Sequence, residues 1–496
     1  MTASREIELK LELSEAGARA LRTAGVLAGT APSTARQTTI YYDTAKRALA
    51  RRGMTLRLRR SGGRVIQTIK QARGDAAGLF ARAEYEEDVA GPGLDFDAID
   101  RTPIGSSIGA KRRGKLEPVV TSTVERSVWL LDHAGSALEV NLDEGIIVAG
   151  GTEQPLRELE IELKRGAPDA ILDLARAIAR DVDISIGVLT KAERGFALAA
   201  GTLGTVSKAE PILIGPGMTV AESFAAIVHA CLKHFRLNEG LIVERRDAEA
   251  LHQARVAMRR LRSALSLFAP AIADPEFARL REELRWFTGT LGDARNLDVL
   301  LQRFADEALP AEDEAALTAS RDAAYAQVLA ALGSGRARTL MLDLVGWIEL
   351  GAWRTGDAAT APILSFALDR LERRWRKIKK AGPQLKTLDE EPRHRLRIEI
   401  KKLRYALEFL AGLFDPDSHK AFLHAMANMQ EELGALNDFA TARGLLSEIP
   451  GIAPERIPAP GRDAERKHLR KAQKAFANVR AVGPYWREAV ASGATP

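Results

Sequence analysis

Along the first 200 residues, apolar and charged side chains alternate one for one in short runs. Beyond residue 219 the apolar positions recur every three or four residues instead. A period of two is that of a β-strand, whose side chains point to opposite faces in turn, and a period near 3.6 is that of an α-helix. The alternation opens at Arg5-Glu6-Ile7-Glu8-Leu9-Lys10, where Glu6, Glu8 and Lys10 share one face while Ile7 and Leu9 share the other. The same pattern predicts strands over 38–44, 54–60, 65–70, 82–86, 123–131, 137–143 and 158–164. A short helix over 15–22 is expected behind Ser14, a good N-cap. Many short strands bounded by turn residues predict a closed antiparallel sheet.

The polar faces of these strands are almost all charged. Glu6, Glu8, Asp143, Glu158, Glu160 and Glu162 form an acidic set; Lys10, Arg57, Arg59, Lys70, Arg82, Arg126 and Lys191 form a basic one. Turned inward, such faces could not make a dry core, because burying unpaired charge is prohibitive, and a polyanion with metal ions would have to fill the space. Turned outward, they would be solvated faces on a sheet packed by its apolar side. The alternation fits both arrangements.

The E-x-E-x-K opening, Tyr42-Asp43-Thr44, the R-x-R at 57–59, Thr68-Ile69-Lys70, the E-L-E-I-E-L-K run at 158–164 and Thr190-Lys191-Ala192-Glu193-Arg194 together resemble the CYTH, or triphosphate tunnel metalloenzyme, domain. The resemblance covers residues 1 to about 200 and implies an eight-stranded antiparallel β-barrel, α+β in class. Within it the basic set would bind triphosphate and the glutamates would bind Mg²⁺ or Mn²⁺. The activity implied is hydrolysis of inorganic triphosphate, thiamine triphosphate or an RNA 5′-triphosphate, or cyclisation of ATP. Arginine suits bidentate phosphate contacts, lysine acts as a point charge, and carboxylates suit a hard divalent cation.

Residues 201–218, with Gly215-Pro216-Gly217, break both periods and read as a linker. Helices then follow from Thr219, and two segments match without a gap: 251–265 aligns with 393–407, an offset of 142 residues that carries His252 onto His394. Leu291-Gly292 with Arg295-Asn296 matches Leu433-Gly434 with Asn437-Asp438 at the same offset. Such a duplication predicts two pseudo-symmetric helical bundles, about 219–360 and 361–490. In each copy a histidine and three cations fall on one helix face: His252, Arg255, Arg259 and Arg262, then His394, Arg397, Lys401 and Arg404. Ala254, Met258, Leu261, Leu265 and Phe268 supply the first copy's apolar stripe. Like charges at this spacing repel, and few acidic neighbours compensate, so a polyanion partner explains the faces better than solvent does.

The pattern H-x-x-R-x-x-x-[RK]-[RK]-x-[RK], which also takes in Arg260 and Lys402, followed by L-G-x-x-[RN]-[ND], resembles the CHAD domain. That family is all-helical and accompanies CYTH domains, and the resemblance implies binding of inorganic polyphosphate over about 219–490, with Arg295 contributing. Lys233, His234, Arg285, Arg373, Arg374, Arg376, Lys377, Lys379 and Lys380 would widen the basic surface.

At 496 residues, 46% hydrophobic and 28% charged, the chain suits two or three globular domains, here 1–200 and 219–490 around the linker. A net charge of +6 favours an anionic partner. A lone cysteine, Cys231, excludes disulfides and cysteine-ligated zinc. Neither a signal peptide nor a membrane span is apparent, which points to the cytoplasm, with polyphosphate granules as a destination. The helical half shows no interleaved aromatics for base stacking, which disfavours nucleic acid. The expected activity is metal-dependent inorganic triphosphate hydrolysis. The alternatives are a polyphosphate-binding protein with an inactive barrel, or an adenylate cyclase or other organic triphosphatase.

Overall fold

The computed structural model describes residues 2–71, 77–91, 93–105, 108–304, 310–385, 387–449, 452 and 462–488. They group into two compact units. One comprises 1–206 with 236–240 and 332–351; the other takes the remainder.

Among the described residues the first unit is built on nine strands: β1 (Thr2–Leu13), β2 (Ser33–Asp43), β3 (Met54–Ser61), β4 (Arg64–Gln71), β5 (Leu79–Asp88), β6 (Glu117–His133), β7 (Ser136–Ala149), β8 (Thr152–Arg165) and β9 (Ile184–Ile186). The sheet is antiparallel in the order β5-β4-β3-β2-β6-β7-β8-β1-β9, and β1 also pairs with β5. This is one strand more than the eight expected: β9 is only three residues long, too short to display a period, and extends the sheet beside β1. The hairpins β3–β4 and β7–β8 turn through Gly62-Gly63 and Gly150-Gly151, all at positive φ. Two such residues make the tight turns whose twist matches the flanking strands.

Register gathers like faces. Leu9 faces Ile161, which faces Val140; Leu11 faces Leu159, which faces Leu142. All six are fully buried, and the Asp169–Ile178 helix packs on this apolar side of β1, β7 and β8. The Gly335–Leu350 helix joins the same unit, packing on the Asp169–Ile178 helix and on β9, with Arg176 Nε 2.9 Å from Asp343.

The charged face is buried as well. Glu8, Lys10, Glu84, Asp143, Glu158 and Glu160 are each at most 7% exposed, so the charges turn inward. Toward one end that face becomes apolar: Tyr41, Val120, Val124, Ile147 and Leu156 pack with Ala192 and Phe196. The last two lie on the Lys191–Ala199 helix, which Thr190 and Glu193 start with a capping box.

The second unit is all-helical. The aligned stretches fall on the Ala248–Ile272 and Glu390–Phe409 helices, and the matched Leu-Gly pairs on the helices that follow, Pro275–Phe304 and Pro416–Ser447. Ala254, Met258, Leu261, Leu265 and Phe268 are all buried, as the stripe predicts. Thr219 caps Val220–Arg245 through a capping box with Glu222, and residues 201–218 contain neither helix nor strand. Among the described residues no helix is long and apolar enough to cross a membrane.

Gly145 sits where β7 passes closest to β6: a Cβ there would lie 2.1 Å from the Thr123 carbonyl oxygen. Gly145→Ala is expected to cost about 1–3 kcal/mol, the usual range for overpacking. Calorimetry of the full chain should show the lowered midpoint, and an unchanged one would contradict the close approach.

Candidate functional site

The inward charges line a cavity of about 390 Å³ in the first unit. Strand register sets its chemistry row by row. Arg126 on β6 lies opposite Asp143 on β7, and Asp143 opposite Glu158 on β8. Lys10 on β1 faces Glu160, and Glu8 faces Glu162. Lys70 on β4 faces Glu84 on β5.

The pairs interlock. The Arg126 guanidinium donates from Nε and Nη2 to Asp143 at 2.6 Å each, and from Nη2 to Glu160 at 2.7 Å. Lys191 reaches in from its helix to Asp143 and Glu160, both at 2.9 Å, and donates to Glu158. Lys10 donates to Glu160 and lies 3.2 Å from Glu8. On the opposite wall Glu84 pairs with Lys70 at 2.9 Å and with Arg57 at 3.2 Å. Glu86 accepts from the Thr68 hydroxyl at 2.8 Å. Lys164 pairs with Glu162 at 2.8 Å and with Glu139 at 3.4 Å.

Titration follows from this pairing. Burial disfavours charge on Glu160 and Asp143. The surrounding cations outweigh it, Lys10 first for Glu160 and Lys191 first for Asp143, and hold both below the usual carboxylate range. Burial pushes Glu158 up, against the pull of Lys191 and Lys10. Burial likewise opposes charge on Lys10 and Lys191, but their carboxylates raise both. Arg59 differs. Among the described residues no carboxylate stands at ion-pair distance from it, and Arg57, then burial, then Arg126, push it down to about 10.

The structure therefore brings Glu8, Lys10, Arg57, Arg59, Lys70, Arg126, Asp143, Glu160, Glu162 and Lys191 to one cavity, with Glu158 behind its wall at 1% exposed. Glu6 and Arg82 are opposite each other in the β1–β5 pairing, but their side chains lie outside the described residues. Glu84, Glu86, Glu139 and Lys164 line the cavity too and were absent from the expected set. Their signal was present: each shares its strand's alternating face with an expected residue.

A divalent cation fits this donor set. Oxygens of Asp143, Glu158 and Glu160 come within 4.8 Å of one another. Glu158 Oε2 is also buried without a hydrogen-bond partner. An all-carboxylate cluster is what a hard cation such as Mg²⁺ or Mn²⁺ prefers.

In the second unit the duplicated helices place equivalent groups equivalently. Gly292 lies beside the Arg255 guanidinium, and Gly434 beside that of Arg397. Arg255 is pushed down to about 10 by burial, then by Arg259 and Arg295. His252 is lowered by burial and by Arg295. Arg259, Arg262, Lys401 and Lys402 meet across a groove of about 510 Å³, where Arg281 and Arg285 from the Pro275–Phe304 helix join them. Burial, then Arg285 and Arg281, lower Arg262.

Carboxylates are nearer than the sequence suggested. Arg404 and Arg260 reach Glu408 at 3.2 and 3.7 Å, and Lys402 reaches Glu399 at 3.0 Å. His252, Arg255, Arg260, Arg295, His394, Arg397 and Arg404 do not line the groove. His234 is buried against the Ser207 carbonyl at 3.1 Å, and Arg374 is 7% exposed, so neither widens a surface. The side chains of Asn437 and Asp438 lie outside the described residues.

Because Asp143 and Glu160 titrate below their ordinary values of 3.8 and 4.5, the stability they contribute is complete above those values and is lost as pH falls through the folded ones. Lys191→Met removes a cation from both. It is expected to move acid unfolding, followed by circular dichroism, to higher pH; an unmoved transition would contradict the pairing.

Comparison with known proteins matches residues 4–196 to the CYTH domain and 226–447 to the CHAD domain. An inorganic triphosphatase of Haemophilus influenzae is 29% identical over 167 residues, 32% of this chain and 45% of the relative, so the match spans under half of that protein. An uncharacterized protein of Mycobacterium tuberculosis is 27% identical over 402 residues, 74% of each chain. The crystal structure of the CHAD domain from the plant Ricinus communis is 30% identical, covering 58% of this chain and 97% of that one with a TM-score of 0.44. This chain is a CYTH domain followed by a CHAD domain.

Proposed function

We propose that this protein hydrolyses inorganic triphosphate to pyrophosphate and phosphate, with Mg²⁺ or Mn²⁺, inside its sheet, and that its helical unit binds inorganic polyphosphate. The carrying observation is the cavity where cations from β1, β3, β4, β6 and the Lys191–Ala199 helix meet carboxylates from β1, β5, β7 and β8. In this reading β1–β5 pairing closes eight strands into a tunnel, and the catalytic unit, linker and polyanion-binding unit span 1–200, 201–218 and 219–490. The matched settings of Arg255 and Arg397 beside glycines favour two pseudo-symmetric bundles. A cytoplasmic location, at polyphosphate deposits, goes with this reading, which also draws on the inorganic triphosphatase relative.

Arg59, flanked by Arg57 and Arg126, is the cation with charge to spare and is the natural first contact for a phosphate. Lys10, Lys70, Arg126 and Lys191 would exchange their carboxylate partners for phosphate oxygens and, with Arg82, hold the triphosphate in line. Asp143, Glu158 and Glu160, with Glu6, Glu8 and Glu162, are the ligand set for the cation. When bound, such a cation neutralises phosphate charge and lowers the pKa of a coordinated water. The cavity's part is positioning and charge stabilisation rather than covalent chemistry.

Purified protein with Mg²⁺ or Mn²⁺ should release phosphate from triphosphate faster than from ATP or thiamine triphosphate. Glu8→Gln and Arg59→Ala should each lower kcat/KM by roughly 10²–10³, the scale of one lost electrostatic contact in an active site. No metal-dependent release from any of the three would sink the enzyme reading. Polyphosphate binding should weaken in Arg259→Gln/Lys401→Gln and fall with added salt; salt-independent binding would contradict a charge-based site.

A further inference from the structure

The groove in the helical unit differs in kind from the cavity in the sheet. The cavity is walled by charged and hydroxyl groups, whereas most of the groove's accessible wall is carbon. Ile398, Phe277, Ala269 and Tyr405 contribute to that wall between the cations. Ile398 stands 36% exposed on the Glu390–Phe409 helix, among the few large apolar side chains left in solvent. A planar guanidinium already lies over a ring here: Arg281 over Phe277, at 5.8 Å from the ring centre. Ser263 and Ser266 add hydroxyls on the same wall.

An inorganic polyphosphate chain has no carbon and no flat face. It would use the cations but leave Ile398 and the neighbouring carbon wetted. A volume of about 510 Å³ falls in the range of clefts that enclose small organic ligands, which are mainly apolar with a few placed polar groups. A ligand matching every part of the wall carries a phosphate chain for Arg262, Arg285 and Lys402, hydroxyls for the serines, and a flat apolar ring for Ile398 and the guanidinium faces. We infer that this groove binds a nucleoside polyphosphate in preference to an inorganic polyphosphate of equal phosphate number. The inference rests on the polyanion reading of the helical unit and deepens it.

The test is titration of the full chain, in chelator so that no hydrolysis occurs, with adenosine 5′-tetraphosphate and with inorganic tetraphosphate. The groove's share is the binding lost in Arg262→Gln/Arg285→Gln, two surface changes that leave the core untouched. Within that share the nucleotide should bind about tenfold more tightly, the gain from covering roughly 55 Å² of carbon. Ile398→Ser should cut that ratio severalfold, while a merely electrostatic site would keep it. A ratio at or below one overturns the inference and leaves polyphosphate binding intact. If the double variant costs neither anion any affinity, the inference and the polyanion assignment of this groove fall together.

Discussion

Everything in the sheet unit depends on keeping Asp143 and Glu160 ionised out of water. A buried carboxylate costs several kcal/mol unless it is paired and hydrogen-bonded. Here the partners are Arg126, Lys10 and Lys191, from two strands and a helix far apart in sequence. The requirement is met by a register that sets Arg126 opposite Asp143 and Lys10 opposite Glu160. A slip of one residue would turn Leu9 and Ile161 inward and the charges outward, because side chains alternate. Charge pairing and apolar packing thus select the same register, and the helix that packs on the apolar side inherits it.

The same pairing suits the cavity to exchange. Lys10, Arg126 and Lys191, which could hold phosphate, are held by carboxylates that could hold metal, so an anion and a cation arriving together can replace both partners without leaving buried charge exposed. Glu158, pushed up by burial, and Arg59, which among the described residues has no carboxylate at ion-pair distance, are departures from balance. Departures of this kind concentrate where a protein binds or reacts.

The helical unit handles charge in the opposite way. Arg255 and Arg262 stand beside other arginines and titrate below their ordinary value. Burial lowers both first and the neighbouring cations add to it, a repulsion that an anion would relieve. Gly292 and Gly434 lie beside the Arg255 and Arg397 guanidiniums in the two copies, so the repeated Leu-Gly pair holds the same place in both.

Local periodicity alone determined that the first 200 residues form strands with one charged face and that helices follow Thr219, since each is a property of neighbours along the chain, and the self-match at 142 residues marked the helical half as duplicated. It also marked most of the cavity's residues, from Glu8 and Lys10 to Lys191. It could not say whether the charged faces turn inward, because an alternating strand has two faces and only its neighbours decide which is enclosed. Glu84, Glu86, Glu139 and Lys164 share those alternating faces, but their partners are set by register across strands. Arg281 and Arg285 joined Arg259 and Lys401 only through the packing of three helices. The three-residue β9 carried too short a pattern to be seen. Residue types and their spacing specify what each element can present; which elements face each other is decided by the energy of pairing buried charge and covering apolar surface, and that exists only once the chain is folded.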